Sequence, residues 1–287
     1  MKRKRTGKEI FFVILLIFFA MALFAALLYL ALAGTGAIWA ALGVLVLAFL
    51  AVNLLFVLFI ALYALLLPRL EPGEGVERQR AICRRLCACV ARWLCNWARL
   101  RVQVLGRETL PEGRYLFVCN HRSMYDPLSV MAYLPEQNIS FISKPSNLKI
   151  PVVGVITRYA GFLAIDREDN REALKSILLA ADYLKRGLCS IGIYPEGTRS
   201  KTGELLPFHA GSFKIVQRAA VPVVVACVSG GEQVKRRWPW RATKLRLEIV
   251  ETIDVKTVKS CSTNELAERA RTSIEARLQE IEGEEKA

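Results

Sequence analysis

Two long uncharged stretches open the pattern of apolar and polar positions. Ile10 to Ala33 carries no charge, Gly34 to Gly36 interrupts it, and Ala37 to Leu67 continues apolar until Pro68 and Arg69. Each run is about as long as a helix that crosses a hydrocarbon core, the second with length to spare for tilt. The pattern predicts an N-terminal transmembrane helical hairpin. A cleaved signal peptide competes, because Ala31 to Ala33 resembles a small-residue cleavage site. The apolar core exceeds a normal signal core, however, and a second span follows at once. Lys2, Arg3, Lys4, Arg5 and Lys8 flank one outer end and Arg69 the other. With an uncharged turn between the spans, that bias predicts two N-terminal spans with the following domain on the cytoplasmic face.

A short linker, Glu71 to Gly75, leads into a different rhythm. Ile82, Leu86, Val90, Trp93, Leu94 and Trp97 recur at helical spacing, with Arg78, Arg84, Arg85, Arg92 and Arg99 around them. Such a helix either lies in the lipid interface or packs on its own domain, and the periodicity leaves both open. Strand and helix patterns then alternate. Tyr115 to Cys119, Ile139 to Ser143, Gly161 to Ile165, Cys189 to Tyr194, Val221 to Val228 and Leu245 to Ile253 read as strands. Val152 to Tyr159, Glu172 to Lys185, Ser212 to Ala219 and Asn264 to Ile281 read as helices, the last capped by Asn264. The expected fold class is α/β: a largely parallel sheet flanked by helices, behind the transmembrane hairpin. The expected division is a hairpin over 1–68, a linker and amphipathic juxtamembrane helix over 69–100, and a folded domain over 101–287.

Composition narrows the partners. A formal charge of +14 favours acidic ones: anionic headgroups, phosphorylated substrates or nucleic acid. The eight cysteines fall in apolar or amphipathic stretches. Cys83, Cys87, Cys89 and Cys95 lack the paired spacing of a zinc module, so free thiols and no metal are expected.

Polar clusters sit where predicted strands end, which is where open α/β sheets bind ligands. Asn120 to Asp126 follows the strand that ends at Cys119. His121 is one of only two histidines, and Asp126 stands five positions on. In a loop that folds back, the carboxylate can accept the imidazole Nδ1–H and fix the tautomer of a general base. Taken alone, a satisfied loop histidine beside an unrelated Asp fits as well. Ile165 to Arg167 closes another strand, and Tyr194 to Ser200 follows a third. Arg167 and Arg199 offer planar forks that match phosphate oxygens, and Gly197 permits a tight turn. Glu196, which only accepts, suits orienting an arginine or a loop amide better than touching a phosphate.

With these residues in view, the chain resembles the lysophospholipid acyltransferase family. The block N-H-x-x-x-x-D is matched by Asn120 to Asp126, and a block ending in Arg by Gly161 to Arg167. F-P-E-G-T-R-S is matched by Tyr194 to Ser200, and a V-P block by Val221 to Val223. Two departures from the pattern matter: Phe208 to Gly211 stands where a basic F-K-x-G stretch is usual, and Ser146-Asn147 replaces a commoner polar or acidic pair after Lys144-Pro145. The resemblance is nearest to the members that acylate lysophosphatidic acid. It implies transfer of a fatty acyl group from a thioester, acyl-CoA or acyl carrier protein, to the sn-2 hydroxyl, giving phosphatidic acid. It implies His121 and Asp126 as the catalytic pair, and Arg167, Glu196, Gly197, Thr198 and Arg199 as the phosphate pocket. Asn120, Ser123 and Pro222 would support them, with no metal and no cofactor beyond the acyl donor.

Alternatives remain at several points. Cys119, two residues before His121, is either a thiol nucleophile or a buried strand cysteine. Another lysophospholipid or glycerol 3-phosphate would serve as acceptor under the same motifs. A non-catalytic lipid-binding scaffold would keep the fold. Lys235 to Arg241 mixes cations with Trp238 and Trp240. A membrane-surface contact ranks first for it, a bare exposed loop second and single-stranded nucleic acid last.

Overall fold

The computed structural model describes residues 37–68, 70, 81–166, 169–200 and 202–286. They fall into two compact units divided after Pro68. The predicted first span, its basic leader, the Gly34 to Gly36 turn, the linker at Glu71 to Gly75, Arg78 and Arg167 lie outside the described residues.

Among the described residues of the first unit, the helix α1 (Ala37–Leu66) matches the second predicted span. Among the described residues it is the one helix long and apolar enough to cross a membrane by length and composition. Its polar exception, Asn53, turns its amide back on the helix and donates to the Phe49 carbonyl at 2.7 Å. That removes the cost of an unpaired amide in an apolar setting.

The second unit begins with α2 (Ala81–Trp97) and β1 (Leu100–Leu105). β2 (Leu116–Cys119), α3 (Tyr125–Tyr133), β3 (Ile139–Ser143) and a single turn, α4 (Pro145–Leu148), follow. Then come α5 (Val153–Tyr159), β4 (Leu163–Ala164), α6 (Asn170–Lys185) and β5 (Ser190–Ile193). The chain ends through α7 (Lys214–Ala219), β6 (Val223–Ser229), α8 (Val234–Arg237), β7 (Thr243–Ile253), α9 (Val255–Ser260) and α10 (Thr263–Lys286). The strands form one seven-stranded sheet in the order β1-β7-β6-β2-β5-β3-β4. Every pairing is parallel except β6 with β7.

Central strands buried on both faces read as continuous apolar runs, and alternate side chains serve opposite layers. Leu116 and Val118 meet Ile191, Ile215 and Leu266 on one face; Phe117 and Cys119 meet Ala91, Val130 and Val224 on the other. α2 belongs to this second layer. Cys83, Leu86, Ala88, Ala91 and Cys95 are buried and the helix packs on α3 and α5; the buried face is turned from the predicted stripe, sharing only Leu86 with it and leaving Ile82 and Trp97 exposed.

Several boundaries moved for local reasons. α6 starts at Asn170 because Asp169 accepts the amides of Arg171 and Glu172 at 2.8 and 3.2 Å. β6 starts after Pro222, which has no N–H to donate but whose carbonyl accepts Leu116 N–H at 3.0 Å. α10 is capped by Ser262, not Asn264. Ser262 Oγ accepts Glu265 N–H at 3.2 Å while the Glu265 carboxylate accepts Ser262 N–H at 2.6 Å, a reciprocal capping box.

Candidate active site

β2 ends at Cys119 between β6 and β5, so three loops converge at the carboxyl edge of the central strands. The first begins with Asn120, whose buried amide continues the β2–β6 ladder in side-chain form. Its Nδ2 donates to the Val228 carbonyl at 2.9 Å and its Oδ1 accepts Val228 N–H at 2.8 Å. The next residue is thereby lifted off the sheet.

His121 is held at both backbone ends. Its N–H donates to Glu196 Oε1 at 2.6 Å, and its carbonyl accepts Ser200 N–H at 2.9 Å. Its side chain turns toward Asp126, with Nδ1 2.9 Å from Oδ2. That oxygen also accepts the backbone amides of Arg122 at 2.8 Å and Ser123 at 2.7 Å. Three donors on one carboxylate oxygen fold the loop back on the first turn of α3. They assign the imidazole proton to Nδ1 and leave Nε2 as the acceptor. Asp126 is buried while the His121 side chain keeps 19 % of its surface exposed, so the pair has a closed end and an open one.

The third strand end braces the ring. Tyr194 stacks on His121 with centroids 4.3 Å apart at 24°, and Phe141 of β3 stacks on Tyr194 at 5.5 Å and 9°. Gly192 makes the room: a Cβ there would meet the Phe141 ring at 2.5 Å. Across β2, Gly231 lets the turn after β6 approach as closely, since a Cβ would lie 3.1 Å from Ser123 Cβ and 3.3 Å from Asp126 Oδ1. Ser123 Oγ donates to the Gly231 carbonyl at 3.1 Å.

Glu196 lies among backbone amides. One oxygen takes His121 N–H, the other takes Leu206 N–H at 3.1 Å, and the side chain is buried. Burial raises its carboxyl above the ordinary range, against the opposing pull of those two amides. The residue-level reading, an acceptor that orients a loop amide, describes this geometry. Gly197 turns at φ 76°, and Thr198 and Arg199 beyond it are exposed. His121, Asp126, Asn120, Ser123, Glu196 and Gly197 therefore come together, with Thr198 and Arg199 on the adjoining turn. Pro222 does not join them. It sits where β2 and β6 begin, at the opposite edge of the sheet, and supports Leu116 rather than the loop. Tyr194, Phe141, Gly192 and Gly231 went unread as site residues because their roles are contacts between strands distant in sequence. The Tyr in place of the family's Phe was the one visible signal.

Cys119 is fully buried on the layer shared with Phe117 and Val224. Burial first, then the nearby Asp126 charge, pushes its thiol well above the usual range. A thiol held neutral is a poor nucleophile, which favours the buried strand cysteine. Among the described residues no cluster of three or more His, Cys, Asp or Glu is placed to hold a metal ion.

The family described as Acyltransferase matches residues 101–229. The 1-acyl-sn-glycerol-3-phosphate acyltransferase of Escherichia coli is 29 % identical over 172 residues, covering 60 % of this chain and 70 % of that one. The alpha form from Bos taurus is 27 % identical over 228 residues, covering 78 % and 77 %. The crystal structure of the 1-acyl-sn-glycerophosphate acyltransferase PlsC from Thermotoga maritima superposes with a TM-score of 0.61 at 25 % identity, covering 78 % of this chain and 87 % of that one. Residues 101–229, which match the Acyltransferase family, thus contain the four motif blocks in order, with the His and Asp of the first in hydrogen-bond contact.

Proposed function

We propose that the protein is a membrane-bound 1-acylglycerol-3-phosphate O-acyltransferase. It moves a fatty acyl group from a thioester donor to the sn-2 hydroxyl of lysophosphatidic acid, giving phosphatidic acid. The observation that carries the chemistry is the 2.9 Å contact of His121 Nδ1 with a buried carboxylate, which leaves Nε2 open at the carboxyl edge of the sheet. In this reading Nε2 takes the hydroxyl proton as the oxygen attacks the thioester carbonyl carbon. The carbon–sulfur bond breaks as the carbonyl re-forms, and the imidazolium returns the proton to the departing thiolate. Asp126 keeps the tautomer and stabilises the imidazolium. The step balances with acceptor and donor alone.

Arg199 and Arg167 hold the acceptor's phosphate, with Gly197 and Thr198 shaping the turn that presents Arg199. Fixing the phosphate sets the hydroxyl beside His121, and such positioning supplies much of an acyl-transfer rate. Glu196 and Asn120 serve from beneath by holding the His121 loop. The anchor is a two-helix hairpin over 1–68 with both ends and the catalytic domain on the cytoplasmic face. α1 as its second arm and the basic residues at both outer ends support that reading.

The test is purified full-length protein in detergent micelles with a panel of lysolipids and glycerol 3-phosphate, each offered acyl-CoA and acyl carrier protein. Phosphatidic acid should form from lysophosphatidic acid in preference to acceptors without a free phosphate. Equal use of lysophosphatidylcholine would overturn the assignment of the acceptor.

A further inference from the structure

The basic and aromatic segment at Lys235 to Arg241 lies outside the chemistry described so far. It links α8 to β7. β7 runs antiparallel to β6, so the start of β7 lies at the edge where β6 ends. β1 is parallel to β7, with Leu100 opposite Thr243, so the end of α2 reaches that edge too. β2 is parallel to β6, and its carboxyl end delivers His121. The sheet topology therefore places Trp97, Trp238, Trp240 and the candidate base on one edge.

The segment is held rather than loose. Trp238 Nε1 donates to the Trp97 carbonyl at 2.9 Å, and Arg99 Nη1 donates to the Pro239 carbonyl at 3.1 Å. Two bonds between segments about 140 residues apart fix the turn and leave the Trp240 side chain 85 % exposed. Trp97 and Trp238 are about half exposed beside it. Lys235, Arg236, Arg237 and Arg241, with Arg99, Arg101 and Lys244 at the adjoining strand starts, are exposed as well. From Gln233 to Leu247 there is no acidic residue.

We propose that this edge is a peripheral membrane-binding surface for anionic bilayers: Trp240 and its neighbours enter the interface while the surrounding cations contact phosphate headgroups. Charge and aromatic type argue together. Cations alone describe a solvated surface, and a lone exposed Trp is unremarkable. Indole rings ringed by Lys and Arg, with no acid among them, match the interfacial zone of a negatively charged leaflet. Single-stranded nucleic acid uses similar residues, but a chain that also bears α1, suited to a bilayer, favours lipid. The surface turns the edge that carries His121 toward the lipid phase, from which a lysolipid acceptor would arrive.

The test is read without turnover, so it stands or falls apart from the acyltransferase assignment. Full-length protein is reconstituted in vesicles of acyl-chain-brominated phosphatidylcholine, with or without phosphatidylglycerol. The Trp240 contribution is taken as wild type minus Trp240→Phe. Its emission should shift to the blue and be quenched by bromine when phosphatidylglycerol is present. The K235Q/R236Q/R237Q/R241Q variant, or high salt with the wild-type protein, should reverse both. Water-like, unquenched Trp240 emission in the anionic vesicles overturns the proposal. So does quenching of equal size without phosphatidylglycerol, which would remove the role of charge. A shift produced by a single-stranded oligonucleotide but not by vesicles would reassign the surface to nucleic acid.

Discussion

The carboxylate of Glu196 and the backbone N–H of His121 lie 2.6 Å apart, across loops that leave two neighbouring parallel strands. The contact ties the third motif block to the first through the main chain. It separates Glu196, which holds the His121 loop, from Arg199, which stands exposed on the adjoining turn. Substitutions at the two positions should differ in kind. Glu196→Gln retains one acceptor but sets an N–H group against a backbone N–H, so kcat should fall roughly 10-fold or more with acceptor KM little changed. Arg199→Ala should raise the KM for lysophosphatidic acid roughly 10- to 100-fold, the loss of a charge-assisted contact of about 1.5–3 kcal/mol. Steady-state kinetics over both substrates separates the cases, and an unaltered KM in Arg199→Ala would move the phosphate site elsewhere.

His121→Ala should lower kcat by roughly 10²–10⁴-fold without unfolding the protein, because the loop is held through the His121 backbone, by Glu196 and Ser200, and not through the ring. Asp126→Asn should cost a comparable amount: an amide carries no charge to stabilise the imidazolium, and with its oxygen kept at the Oδ2 position its NH2 falls at the buried, partnerless Oδ1 position. Turnover unchanged in His121→Ala would end the general-base assignment.

Asn120→Ala should act on stability before activity. It strips partners from both the N–H and the carbonyl of Val228, which are buried, and should cost about 2–4 kcal/mol. A lowered Tm with kcat largely retained below the transition is the expected pattern.

Tyr194 offers a cleaner separation. Its hydroxyl is buried with no partner, so Tyr194→Phe should keep the stack and leave stability equal or improved. Tyr194→Ala removes the ring, worth about 0.5–1.5 kcal/mol beyond its area, and frees the imidazole to turn. The fall in kcat should be confined to the Ala variant. An equal loss in the Phe variant would assign the hydroxyl a part in the reaction.

The buried thiols make alkaline pH a stability variable. Burial raises Cys119 well above its ordinary 9.0, Cys227 to about 12 and Cys95 to about 11. The folded state thus keeps these protons while the unfolded chain releases them above pH 9. Stability should be flat below that point and fall as pH rises beyond it, by up to about 1.4 kcal/mol per pH unit for each thiol. Cys227→Ala should reduce the slope of Tm against pH between 9 and 11. Cys119→Ala should leave turnover within a few-fold, and its complete loss would revive the covalent route.

Much of the fold was readable because the pattern was strong. Val223 to Ser229 and Ile139 to Ser143 are apolar runs bounded by breakers, and α6 and α10 carry long helical stripes. α3 was missed because Tyr125 to Tyr133 is short and mixed in polarity, and its first turn is organised by Asp126 rather than by an apolar face. The strand at Leu100 was not delimited because it lies at the sheet's edge and pairs only with β7, nearly 150 residues later. The stripe of α2 showed that one face is apolar. It could not show that the face packed on α3 and α5 is a neighbouring one of small residues and thiols, Cys83, Ala88, Ala91 and Cys95, joined by Leu86.

The linear order of residues determined by itself which groups could do chemistry: one imidazole five positions from a carboxylate, arginines just past strand ends, and apolar runs of bilayer length. Those are properties of side-chain type and local spacing. Tertiary structure decided the rest, because it depends on which strands become neighbours. Pairing β5 beside β2 puts Glu196 under the His121 amide and Tyr194 on its ring, and pairing β6 on the other side supplies Val228 and Gly231. It also sets Pro222 a strand's length away, at the wrong edge. No spacing along the chain encodes those meetings; the sheet order does.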